Sequence, residues 1–188
     1  MTKPAFICID LETTGLDYDK CCIIEAGIVV ADENLEVIAA DSWLVRPTTD
    51  MSEMDDFVRD MHSGNGLLAD LECGEDEEGF NVPPMGPTWV EGDILRWLDA
   101  LELEEGTFPM FGSSIGFDRR MLSIHMPNLE AWFHYRNIDM STIKEVAKIW
   151  RPDLKWKPNG SKAHRVLDDC LATLDEARYY KVNIFNPQ

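Results

Sequence analysis

Basic residues are scarce in this chain: 17 lysines and arginines stand against 35 aspartates and glutamates, a formal net charge of −18. That shortage excludes a broad cationic track along nucleic acid or an anionic membrane. A short nucleic acid gripped at one local spot stays compatible with it. Long apolar runs are also missing, so no segment offers the roughly twenty apolar residues of a membrane span. Cysteine is sparse: Cys8, Cys21, Cys22, Cys73 and Cys170 are odd in number and lack the paired C-x-x-C spacing of a zinc site. Cys8 and Cys170 lie in apolar contexts and read as small buried hydrophobes. No signal-peptide pattern opens the chain, which predicts a reducing, cytoplasmic location and no membrane partner. Internal repeats and low-complexity tracts are absent.

What is present fits one domain over 1–188, since 45% hydrophobic and 28% charged residues are ordinary for a globular core of this length. Strand-like stretches come first, at 5–12, 23–30 and roughly 35–45, the last two joined by the short Asp32-Glu33-Asn34 link of a hairpin. From Ser52, a candidate N-cap, the pattern turns helical to about residue 72, with a break near Gly64-Asn65-Gly66. Residues 72–87 form an acidic, Gly/Pro-rich stretch that reads as a solvated loop. Thr88-Trp89-Val90-Glu91 matches a capping box ahead of a helix face made by Val90, Ile94, Trp97/Leu98 and Leu101. A short strand at 107–111, a helix at about 115–125, a last short strand at 137–140, and helices at about 141–150 and 165–182 complete the chain. Hairpin strands followed by alternating strands and helices predict an α/β sandwich around a mixed sheet.

The informative feature lies in the first strand, Ala5-Phe6-Ile7-Cys8-Ile9-Asp10-Leu11-Glu12. The run is apolar on both faces, as in a central covered strand, yet Asp10 and Glu12 are two apart and project side by side. Two carboxylates there repel each other and lose hydration unless a cation neutralises both. A hard divalent ion such as Mg²⁺ or Mn²⁺ suits oxygen ligands. D-x-E pairs elsewhere, Asp17/Asp19 and Glu102/Glu104, lie in polar contexts and need only a solvated-face reading.

Two further segments carry candidate chemistry. In Gly116-Phe117-Asp118-Arg119-Arg120, the acid either serves the helix dipole and a salt bridge or leans toward the metal site from the helix after the fourth strand. In His164-Arg165-Val166-Leu167-Asp168-Asp169, an all-helical segment would place His164 on one face with Asp168. With His164 on the entering loop, it would instead swing over a metal held by Asp169. Beside it, Arg151, Lys155, Lys157, Lys162 and Arg165 against Asp153 alone read as a basic patch.

Taken together, Asp10-x-Glu12, Asp118 and His164-x₄-Asp169 resemble the DEDDh group of 3′→5′ exonucleases. Within that group the resemblance is to the oligoribonuclease family over nearly the whole length. It is carried by Ile9-Asp10-Leu11-Glu12-Thr13-Thr14-Gly15-Leu16, Met54-Asp55-Asp56, Gly112-Ser113-Ser114-Ile115-Gly116-Phe117-Asp118, Met126 to Arg136 and Asp139-Met140-Ser141-Thr142. The resemblance implies a ribonuclease H-like fold, a mixed five-stranded sheet flanked by helices. It implies Asp169 as ligand, His164 as general base, and two divalent cations, Mg²⁺ or Mn²⁺, on Asp10, Glu12, Asp118 and Asp169. It implies that Leu16 wedges against a base, while His62, Ser114, Tyr135, Arg136, Ser141 and Thr142 hold the terminal phosphate and sugar of a short RNA oligonucleotide. In the family the tyrosine comes from the partner subunit, which implies a homodimer. Phe117 departs from the family pattern, which has a polar residue there, and the 72–87 loop is enlarged. Against this reading stand a DNA-directed member of the same group and a catalytically silent nucleotide-binding module.

Overall fold

The computed structural model describes residues 3–73, 84–157 and 164–185. Most of the acidic 72–87 stretch, and Lys162 of the basic segment, lie outside the described residues. The first three strands, β1 (Pro4–Thr13), β2 (Ile23–Asp32) and β3 (Val37–Leu44), form an antiparallel meander. Helices α1 (Asp56–Gly64), α2 (Leu67–Cys73) and α3 (Pro87–Ala100) lead to β4 (Pro109–Gly112). Then come α4 (Gly116–His125), α5 (Pro127–Trp132), β5 (His134–Asp139), α6 (Met140–Trp150) and α7 (Val166–Tyr180). Among the described residues the sheet has five strands in the order β3-β2-β1-β4-β5, with β1 parallel to β4 and β4 parallel to β5. The mixed sheet is therefore as expected, with β1 in its centre.

The strand alternation of β1 sorts its side chains between two cores. Ile7, Ile9 and Leu11 join one buried cluster with Ile94, Leu98 and Met121 from α3 and α4. Cys8 faces the other way, into a cluster with Phe111, Met140, Cys170 and Leu174 from β4, α6 and α7. Asp10 and Glu12 continue the parity of Cys8, so the acids fall on the side that α7 covers.

Several boundaries differ from expectation for local reasons. The helical stretch from Ser52 breaks near Gly64-Asn65-Gly66 as expected, between α1 and α2, and breaks once more before α1, because aspartate side chains capture backbone N–H groups there. Asp50 accepts from the Ser52 amide at 2.8 Å and starts a short 3₁₀ turn, and Asp55 accepts from the Phe57 amide at 2.9 Å and starts α1. The Thr88 capping box does not form: Pro87 already supplies the first helical position and Gly86 is the cap. Glu91 instead turns into the core, where its carboxylate accepts from the Asn128 and Leu129 amides at 2.6 and 3.0 Å and so caps α5. The last strand begins at His134, three residues earlier than expected.

The N-terminus of α7 is pressed against β2 at Gly27, the residue paired with Asp10. A Cβ at Gly27 would stand 2.5 Å from Cγ2 of Val166. Only glycine allows that approach, and the approach is what carries the first turn of α7 up to the acids of β1. Gly27→Ala is expected to cost about 1–3 kcal/mol by overpacking. A urea midpoint equal to the parent's would show that α7 is not held by this contact.

Candidate active site

Asp10 and Glu12 end β1 on the α7 side, just before a register irregularity between Glu12 and Thr13 where β1 leaves the regular ladder with β2. Asp169, in the first turn of α7, comes down onto them: one ligand atom from each of Asp10, Glu12 and Asp169 lies within 4.8 Å of the others. Asp118 enters from the first turn of α4, where its Oδ1 accepts from the Leu11 amide at 3.1 Å. That bond aims the carboxyl across the end of β1. Asp10, Glu12 and Asp118 line one wall of a cleft of about 360 Å³ whose rim carries Leu16 and Ser114. Asp10 and Asp169 also face a smaller cleft of about 200 Å³ toward α6 and α7. A larger cavity of about 840 Å³, lined by Lys3, Asp32, Leu101 and Phe108, shares no lining residue with either cleft and gathers no such ligand set among the described residues.

The electrostatics are those of a site waiting for positive charge. Burial first, then the charges of Asp118, Glu12 and Asp169, push Asp10 well above the ordinary carboxylate range. Glu12 is pushed up to about 8 by burial and then by Asp169 and Glu25, with Arg165 pulling the other way. Asp118 rises to about 7, because burial outweighs the backbone N–H groups that favour its anion. Hard, convergent carboxylate oxygens that repel one another this strongly fit a divalent cation.

His164 lies on the loop that enters α7, whose first helical residue is Val166. His164 is thus on the entering loop rather than in the helix, and it lines neither cleft; Asp169 is in the cluster and Asp168 points to solvent. Arg165 is not part of an exposed basic patch. It is buried, with its guanidinium on Glu25 at 2.8 Å and on Asp70 at 2.7 Å. Glu25 pairs with Glu12 across the β1–β2 ladder, so Arg165 offsets two acids that would otherwise face each other uncompensated. Arg151 is likewise tied to Asp153, at 2.8 and 3.0 Å. Lys155 and Lys157 are what remains exposed of the patch among the described residues.

The other sequence candidates divide. Leu16 is 78% exposed at the cleft rim. Ser114 and Ser141 meet, hydroxyl to hydroxyl, at 2.9 Å, and Ser113 joins them at 3.0 Å. Asp139, the N-cap of α6, organises this group: Oδ1 accepts from the Ser114 and Ser141 amides at 2.9 Å and Oδ2 from the Thr142 hydroxyl at 3.1 Å. Sequence reasoning missed Asp139 as an organiser, although an acid just before a helix is a readable cap signal. It also missed Lys144, one turn beyond Ser141, whose ammonium is 3.3 Å from the buried Glu176 in the smaller cleft. Tyr135 and Arg136 line neither cleft. They project from the edge strand β5, Tyr135 72% exposed with the Arg136 guanidinium 5.1 Å above its ring.

His62 requires a correction. Its side chain is fully buried beneath the end of β1, with Nε2 3.0 Å from the Thr13 carbonyl and 3.9 Å from Glu12. A ring enclosed in this way cannot grip a phosphate or sugar; it props the strand that carries Glu12. Burial lowers its pKa and favours the neutral ring. Phe117, the departure from the family pattern, lines the cleft and packs on Tyr18 at 5.4 Å between ring centres.

Comparison with known proteins bears on the fold and the family. The zinc-bound form of the E. coli ExoI–ssDNA complex superposes with a TM-score of 0.64 at 14% identity, covering 98% of this chain and 41% of that one. The metal-free form of that complex gives 0.58 at 15% identity. The chain thus spans about two fifths of exonuclease I and shares its ribonuclease H-like exonuclease fold. The family model described as Exonuclease, RNase_T, matches residues 87–177. With the relatives that follow, this match defines a nuclease of the exonuclease class. Over almost its full length the chain resembles oligoribonucleases: 39% identity with that of Hahella chejuensis, covering 93% of this chain and 92% of the relative. With that of Nitrosomonas europaea it is 37% identical, over 96% and 95% of the two chains. The chain belongs to the oligoribonuclease family.

The raised carboxylates have a measurable consequence. Between the ordinary value of 4.5 and about 8 for Glu12, and between 3.8 and about 7 for Asp118, the folded metal-free protein binds more protons than the unfolded chain. These two carboxyls therefore subtract stability as pH rises through that window, while His62 and His125, whose pKa burial lowers, act in the opposite sense below their ordinary value of 6.5. In EDTA the melting temperature is expected to drop from about pH 6.5 to pH 8, and Mn²⁺ is expected to raise it more at pH 8 than at pH 5. A flat or rising profile in EDTA would contradict the electrostatics described.

Proposed function

We propose that this chain is a single exonuclease domain that hydrolyses short RNA oligonucleotides, down to dinucleotides, from the 3′ end to nucleoside 5′-monophosphates. The observation that carries the reading is the meeting of Asp10, Glu12 and Asp169 within 4.8 Å of one another, with Asp118 on the cleft wall that Asp10 and Glu12 share. These four would hold two divalent cations, Mg²⁺ or Mn²⁺. Such ions, when bound, supply Lewis-acid stabilisation of phosphoryl oxygens and a water of lowered pKa.

The remaining roles fall to the chain itself. His164, an imidazole at the entrance to α7, would accept the proton of the attacking water, since imidazole is the side chain most often used as a general base. Leu16, apolar and exposed on the rim, would stack against a base. Ser114 and Ser141, fixed through their backbone amides by Asp139, would donate their hydroxyls to the terminal phosphate, and Thr142 would exchange its hydroxyl bond to Asp139 for one to the phosphate. Tyr135 and Arg136 would complete a second subunit's site in a homodimer, arginine suiting a bidentate grip on phosphate. Their exposure on an edge strand, away from both clefts of their own chain, supports that assignment. A substrate with few phosphates also reconciles the chemistry with a net charge of −18. Free thiols at all five cysteines suit a reducing cytoplasm.

A timed digest of labelled RNAs from two to twenty nucleotides, with Mg²⁺ or Mn²⁺ and matched DNAs alongside, tests the reading. Accumulation of 5′-monophosphates with fastest turnover of the shortest RNAs is expected; preference for long DNA would replace it with the DNA-directed alternative. Binding of dinucleotides without cleavage would instead favour a silent module. His164→Ala should lower kcat by about 10²–10⁴ while Mn²⁺ affinity is retained. Asp10→Ala should lose the calorimetric Mn²⁺ signal itself, and activity at the parent level in either variant would contradict the roles given. Tyr135→Ala should lower activity if the site is shared between subunits.

A further inference from the structure

His164 occupies an unusual backbone position. Its φ is +51°, in the left-handed region that costs an L-residue roughly 1–2 kcal/mol. A non-glycine residue persists there only when its surroundings fix it, and such positions cluster at functional sites. The surroundings are therefore informative.

They come from two directions. On the C-terminal side, Arg165 is locked by Glu25 of β2 and Asp70 of α2, and Val166 is seated on Gly27. This fixes where the chain must be one residue after the histidine. On the other side, the side-chain amide of Asn65 donates to the His164 carbonyl. Asn65 is itself well held: it is the C-cap of α1, its backbone N–H bonds to Met61, and its Oδ1 accepts from the Leu67 amide at 3.0 Å. Both fixing groups, Asn65 and Asp70, thus belong to the α1–α2 corner. The same corner holds the end of β1 through His62 and Thr13.

We infer that Asn65 is a positioning residue for His164, setting the peptide plane that aims the imidazole while Arg165 anchors the residue that follows. The inference rests on the reading of His164 as the proton acceptor. The chemistry calls for an amide at position 65. Its oxygen closes the turn to Leu67 and its nitrogen donates to the His164 carbonyl, so one side chain ties the corner to the loop. A carboxylate could keep the first bond and would lose the second, presenting an acceptor to an acceptor.

Asn65→Asp is accordingly the sharp test, because it retains the turn. With a labelled dinucleotide and Mn²⁺, kcat is expected to fall about ten- to a hundred-fold, since a shift near 1 Å in a catalytic group costs about 10². KM, the Mn²⁺ affinity by calorimetry and the melting temperature should stay close to those of the parent. Asn65→Ala should show a similar kcat with a lower melting temperature, having lost the turn as well. The double variant Asn65→Asp/His164→Ala should be no slower than His164→Ala alone. A parental kcat in Asn65→Asp, with His164→Ala inactive, would overturn the positioning role and leave the proposed function standing. A loss confined to melting temperature or Mn²⁺ affinity would overturn it too, showing a purely structural bond. Full activity in His164→Ala would remove both the base and the need to position it.

Discussion

Carboxyl groups that crowd together out of water raise each other's pKa, and the end of β1 is arranged around that repulsion. Asp10, Glu12 and Asp169 bring their oxygens within a few ångström, and Asp118 adds a further acid beside Asp10. Left alone, the group prefers to hold protons, at a cost to stability that grows as the pH rises. A divalent cation reverses the sign of that interaction, so an arrangement that is unfavourable for the acids alone suits them to bind one. The site is therefore held in place by the rest of the fold rather than by its own contacts.

The holding is done by neighbours one layer out. Arg165 takes up the charge of Glu25, which sits opposite Glu12 in the ladder, so the second strand adds no net unpaired acid at that point. Gly27 gives up its side chain so that α7 can approach and deliver Asp169. Asp139 gathers the hydroxyls of Ser114, Ser141 and Thr142 at the ends of β4 and β5. His62 supports the end of β1 from below. Asp139 and His62 touch residues with a proposed role in the reaction, Gly27 is paired with one in the ladder, and Arg165 acts through Glu25. The supporting parts of Arg165, Gly27 and His62 were not assigned in the sequence, because their partners lie tens of residues away.

That distance explains what could be read in advance. The parity of Asp10 and Glu12 was legible because a strand repeats every two residues, and an apolar background makes two acids conspicuous. The order of strands and helices was legible from periodicity, and the mixed sheet followed from it. Boundaries failed where a side chain had two competing uses. Glu91 had the spacing of a capping partner for its own helix but serves α5 instead. Arg165 looked like an exposed cation in a basic run and is buried on two acids. His62 looked like a substrate contact and is enclosed in the core. In each case the decisive contact is non-local, and no sequence window contains it.

By itself, then, the sequence determined the chemistry available: acids spaced for one strand face, an imidazole five residues before an acid, few cations, and a family membership carried by scattered motifs. The family resemblance already pointed to Asp169 over Asp168, but only the tertiary structure decided which acids meet, and that His164 stands on a strained loop rather than in a helix. Periodicity is a property of neighbouring residues and survives in a string of letters. Convergence depends on how helices seat on a sheet, and that is settled by close approaches such as Val166 on Gly27 and by ion pairs such as Arg165 with Glu25, which form only once the chain has folded.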